Sequence, residues 1–114
     1  MTNIVGTFEL QNDTGEYVTD PSAKAEVSGS PKGTISLVSL ADGTKSLSTQ
    51  FNVKEGATID WVVAFTDKSG TTKNGTVTCN CAPDSKSATA LVTLKVNSFT
   101  VAITGAGTCT GSYT

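Results

Sequence analysis

The sequence predicts an all-β fold, a single antiparallel β-sandwich of eight or nine short strands over residues 1–114, with a small β-barrel as the alternative. Three observations lead there. Threonine (20 residues) and serine (12) fill most polar positions while charged residues are only 16 % of the chain, and threonine suits a pleated, half-exposed face. Helix surfaces prefer Ala, Leu, Glu, Lys and Gln instead. Apolar residues recur with period two, which sets alternate side chains on one sheet face, and helical spacing is sustained nowhere. Turn signals interrupt this alternation every ~8–14 residues, the spacing of short strands in a sandwich. At 114 residues the chain can bury one core and is too short for two.

Gly6, Phe8 and Leu10 open the series, and Asn12-Asp13-Thr14-Gly15 ends the first strand before a short Tyr17-Val18-Thr19 piece. Ala23, Ala25 and Val27 alternate with Lys24 and Glu26 up to Ser28-Gly29-Ser30-Pro31-Lys32-Gly33. Both breaks use residues that accept positive φ or hold φ at about −65°. Ile35 and Leu37 give way to Val38 and Leu40 on the other phase, a switch that predicts a bulge, and Asp42-Gly43 is a hairpin signal. Leu47, Thr49, Phe51 and Val53 follow. Glu55-Gly56 then turns the chain into its most apolar strand, where Ile59, Trp61, Val63 and Phe65 share one face, placing Trp61 in the core.

Asp67-Lys68-Ser69-Gly70 and Asn74-Gly75 read as turns, Val77, Cys79 and Cys81 as one face of a strand, and Ala82-Pro83-Asp84-Ser85 as its end. Ala88, Ala90, Val92, Leu94 and Val96 form the next inward face, then Phe99, Val101 and Ile103, and a last short strand holds Cys109 and Tyr113. With no helix to carry a parallel crossover, all pairing is expected to be antiparallel. The pattern resembles immunoglobulin-like or jelly-roll sandwiches in architecture alone. No Cys precedes Trp61, so the inter-sheet Cys…Trp…Cys spacing of immunoglobulins is missing.

Composition also narrows function. Eight basic residues, all lysine, face ten carboxylates, for a net charge of −2, and there is no histidine. The lysines stand singly from Lys24 to Lys95, without the basic patch that nucleic acid requires, so no nucleic-acid partner is expected. No stretch approaches the roughly 18 apolar residues of a membrane helix, and the first residues lack a basic stretch followed by an apolar run. Neither membrane insertion nor an export signal is therefore expected, yet the low charge and Thr/Ser/Gly richness lean toward an extracellular or particle-surface setting. Absence of histidine removes the Ser/His and Cys/His nucleophile pairs and most zinc catalysis. The reading is a non-enzymatic binding or structural module with no cofactor, whose partner is a glycan or a second copy of itself. The enzyme alternative is a glycoside hydrolase using two of Glu9, Glu26 and Asp60, which would have to converge to about 5–10 Å. Solvated surface charge is the plainer account of these three.

Asn12, Asp13, Tyr17, Asp20 and Tyr113 are the candidate ligand-binding residues, because tyrosine rings stack on apolar sugar faces while Asn and Asp bond hydroxyls. Asp13, Glu16 and Asp20 beside Asn12 also sketch a calcium loop, but their spacing fits no EF-hand, and Asx turns account for the segment without metal. Asn12-Asp13-Thr14 and Asn74-Gly75-Thr76 match the glycosylation sequon, and Thr-x-Thr at 76–78 and 108–110 suggests outward hydroxyl rows. Cys79, Cys81 and Cys109 admit a disulfide from Cys109 to Cys79 or Cys81, three reduced packed thiols, or a metal site lacking a fourth ligand. Cys79 and Cys81 do not suit each other, since i and i+2 of a strand lie near the upper limit of Cα separation.

Overall fold

A computed structural model describes residues 3–54, 56–79, 87–104 and 106–114. Among these it contains ten strands: β1 (Asn3–Asn12), β2 (Val18–Val27), β3 (Ser30–Ser36), β4 (Ser39–Leu40), β5 (Thr49–Lys54), β6 (Ile59–Thr66), β7 (Thr72–Cys79), β8 (Ser87–Leu94), β9 (Ser98–Ile103) and β10 (Gly107–Ser112). They form two sheets rather than a closed barrel. The first runs β10-β9-β8-β1-β5, and the second runs β3-β2-β6-β7 with β4 also on β2. No helix of the described residues is long and apolar enough to cross a membrane.

One pair departs from the antiparallel expectation. β1 lies parallel to β8, from Val5 opposite Ser87 to Asn12 opposite Leu94. A parallel neighbour needs a long crossover, not a helix as such, and here the whole second sheet supplies it.

Inward positions of both sheets meet around Trp61. Its ring centroid lies 5.4 Å from Phe8 and 5.5 Å from Phe51, and those two are 5.9 Å apart, all three pairs edge to face. That geometry sets the positive ring edges against negative faces. Ile59, Val63 and Phe65 share the Trp61 face and are buried with it, as the alternation of β6 requires. The Nε1 of Trp61 is buried without a hydrogen-bond partner.

Several local expectations change once the strands are in place. The 17–19 piece and the 23–27 strand are one strand, β2, broken by an irregularity in which Asp20 takes a positive φ of 48° ahead of Pro21. Ser28 and Gly29 both have positive φ, 52° and 79°, the pattern of the tight turns that suit twisted hairpins. The phase switch after Leu37 is a strand break, and β3 and β4 pair with β2 on either side of it. Asp42-Gly43 does turn, with Gly43 at φ 77°, but it carries the chain from one sheet to the other and closes no hairpin. Leu47 is 89 % exposed ahead of β5, and Ser46 is buried in its place, its hydroxyl accepting from the Leu10 N–H at 2.9 Å. Val96 lies past the end of β8 and is half exposed.

Asn74-Gly75, in contrast, is not a turn, because both residues lie inside β7. The glycine is needed for a different reason: a Cβ at Gly75 would collide with the Ser112 carbonyl of β10 and stand 2.8 Å from the Phe99 ring. Gly33 plays the same part at the opposite edge, where a Cβ would stand 2.5 Å from the Gln50 carbonyl of β5. The edge strands thus approach pairwise, β3 to β5 and β7 to β10, and the Thr114 N–H donates to the Asn74 carbonyl at 2.7 Å across the second seam. Cys79 of β7 and Cys109 of β10 are disulfide-bonded along that seam, with Cα atoms 6.2 Å apart. Cys81 lies outside the described residues.

Candidate functional site

β1 and β2 deliver the 13–17 loop to one end of the sandwich, where it meets the 67–71 turn and the 95–98 turn. Together they enclose a cleft of about 220 Å³. Tyr17, 52 % exposed, stands at this cleft with Thr14, Glu16, Asp67, Ser69, Lys73 and the half-exposed Val96.

The five sequence candidates divide sharply. Asn12 is fully buried, and its side chain is spent within the fold. Its Nδ2 donates to the carbonyls of Glu16 at 2.7 Å and Leu40 at 2.8 Å, and its Oδ1 accepts from the Thr14 N–H at 3.0 Å and hydroxyl at 2.8 Å. An amide offers two donors and one acceptor oxygen, so Asn12 shapes the loop and has nothing left for a ligand or a glycan. Tyr113 is likewise structural. Its single hydroxyl proton is shared between the carbonyls of Lys95 and Ser98, each at 2.8 Å, and its ring lies 5.2 Å from Phe65 and 5.7 Å from Phe99. Asp13 and Asp20 are exposed and do not line the cleft. Tyr17 alone of the five does so.

Of the remaining lining residues, Glu16 belongs to the acidic segment read as a calcium loop, and Asp67 and Ser69 to the turn at 67–70. Asp67 Oδ1 accepts from the Ser69 hydroxyl at 2.7 Å and from the N–H groups of Ser69 at 3.0 Å and Thr71 at 2.9 Å. The Ser69 hydroxyl first, then the backbone donors, hold its carboxyl below the ordinary value of 3.8. Lys73 Nζ donates to the Val96 carbonyl at 3.0 Å and sits 5.9 Å from the centre of the Tyr113 ring, close enough for a cation–π contact.

Burial pushes the Tyr113 hydroxyl up from 10.0 to about 12, against the opposing pull of its bond to Lys95. The folded state therefore keeps a proton that the unfolded chain releases, so this contribution is whole below pH 10 and is lost as pH rises through about 12. The melting temperature of the wild type should fall more steeply across that window than that of Tyr113→Phe. Equal slopes would rule the tyrosine out as the cause.

Of the three carboxylates considered for hydrolysis, Glu26 and Asp60 are register partners on the second sheet while Glu9 lies on the first, opposite Leu91. Asp60 Oδ1 accepts from the Thr78 hydroxyl at 2.7 Å. None of the three lines the loop-end cleft. Among the described residues no group of three or more Asp, Glu, Cys or His is arranged to hold a metal ion. No family model matches the chain, and no curated protein matches it significantly.

Proposed function

We propose that the chain is a non-enzymatic binding module that takes a neutral, hydroxyl-rich ligand, a single sugar unit, in the loop-end cleft. The observation that carries this reading is the placement of the exposed Tyr17 ring beside the Glu16, Asp67 and Ser69 groups. A tyrosine face stacks on the apolar C–H face of a sugar, and carboxylate and hydroxyl oxygens accept from its hydroxyls. At about 220 Å³ the cleft is smaller than the roughly 300–1,000 Å³ of drug-sized sites, which favours one residue of a glycan over a longer segment. An extracellular or particle-surface setting, where glycans are met, accords with the Thr-rich, low-charge composition.

A glycan array followed by calorimetric titration of the best hit tests the proposal. Tyr17→Ala should weaken binding by about two- to tenfold while the melting temperature stays put, since a stacked ring contributes ~0.5–1.5 kcal/mol. An array on which the wild type is silent, or a Tyr17→Ala variant that binds as well, would sink it. Self-assembly as a surface or particle component is the second reading, favoured by the exposure of Leu47 at 89 % and Val38 at 81 %.

A further inference from the structure

We infer that copies of this chain associate head to tail, the acidic 13–17 loop of one copy seating in a lysine-rimmed groove at the far end of the next. The groove has a volume of about 450 Å³, with an apolar floor of Val5, Val27, Val53 and Ala57 and a rim that includes Lys32 and Lys54. No described carboxylate lines it; Glu26, opposite Pro31 in register, is not among its walls.

The complementary surface is at the other end of the same molecule. The 13–17 and 41–44 loops are tied together by the Gly15 N–H donating to Asp42 Oδ1 at 2.8 Å. They carry Asp13, Glu16 and Asp42 and no lysine of their own, with Lys73 across the cleft from Glu16 and Lys45 directly after Thr44. Tyr17 adds an exposed ring at their base. An acidic knob bearing one aromatic ring thus matches a socket with an apolar floor and a cationic rim. Opposite charges steer such an encounter and fix its register, while the apolar contact supplies the adhesion.

Strand geometry separates knob from socket. β1 carries Val5 in the groove and ends at Asn12 beside the knob, while β2 starts at Val18 in the cleft and ends at Val27 in the groove. Nine residues of strand span roughly 30 Å, on a molecule whose long axis is 45 Å. A contact between two different surfaces at opposite ends is heterologous, so it adds copies end to end rather than pairing two of them about a two-fold axis.

Sedimentation of the full chain over a concentration series tests this. At low ionic strength the mean mass should rise with concentration, and association should weaken at least about tenfold on going to about 0.5 M salt. Lys32→Gln/Lys54→Gln and Asp13→Asn/Glu16→Gln should each weaken association at least about tenfold. An equimolar mixture of the two variants, holding one good socket and one good knob, should form a pair and nothing larger. A monomer at every concentration in low salt would overturn the inference. So would a mixture that stays monomeric, or a dimer indifferent to both substitution sets. Capture of a foreign acidic peptide by the wild-type groove without self-association would count against a second copy as its occupant. The lysine variants lie away from the cleft, so loss of self-association with glycan binding intact separates the two proposals.

Discussion

Trp61→Ala should lower the free energy of unfolding by about 3–5 kcal/mol, the usual range for removing a buried large aromatic. The side chain is wholly buried, and its loss would leave Phe8 and Phe51, on the opposite sheet, without the ring they pack against. Net stabilities of small domains are ~5–15 kcal/mol, so much of the margin would go with one residue. Trp61→Phe should cost far less, because the indole Nε1 has no hydrogen-bond partner and its removal strands no acceptor. Urea denaturation followed by far-ultraviolet circular dichroism measures both, since the only tryptophan is the residue being replaced. A Trp61→Phe variant as unstable as Trp61→Ala would mean that ring size, not the unsatisfied N–H, decides the site.

Cutting the Cys79–Cys109 bridge should cost about 3–4 kcal/mol on chain-entropy grounds, because it releases a loop with a sequence separation of 30. The bond joins β7 of one sheet to β10 of the other, so Cys109→Ser should also loosen the seam that the Thr114 N–H and the Asn74 carbonyl share. Intact-mass measurement after alkylation under non-reducing denaturation should find one modifiable thiol, Cys81, in the wild type and none in Cys81→Ser. Three alkylated cysteines in freshly isolated protein would place the chain in a reducing compartment and undo the extracellular lean.

Period-two alternation in 59–65, 88–94 and 99–103 needed no tertiary information, because a residue on a buried sheet face must be apolar whichever strand lies beside it. Leu47 breaks that logic. It continues the alternation of Phe51 and Val53 in sequence, but although Lys45 already bridges Gln11 of β1, Leu47 lies in the stretch before β5 that belongs to no ladder, and a residue outside a ladder has no face to be placed on. The cleft was less legible. Tyr17 stands out as one of two tyrosines, yet nothing local says that Asp67, Ser69 and Lys73 reach the same end as the 13–17 loop, since that depends on strand order. Asn12 and Tyr113 have the right chemistry for a ligand but are consumed by backbone carbonyls and N–H groups that only the folded loops bring to them.

The class of structure and the inner face of most strands can be read from the residues alone, because backbone sterics and apolar burial act residue by residue. Strand order, the parallel β1–β8 pair, the partner of Cys109 and the use of Gly33 and Gly75 depend instead on which segments meet in the fold. An Asn-Gly pair looks the same in a hairpin turn and in an edge strand. The difference is whether another backbone comes within contact of the missing side chain, as the Ser112 carbonyl does at Gly75, and that is a property of two segments meeting rather than of either one alone.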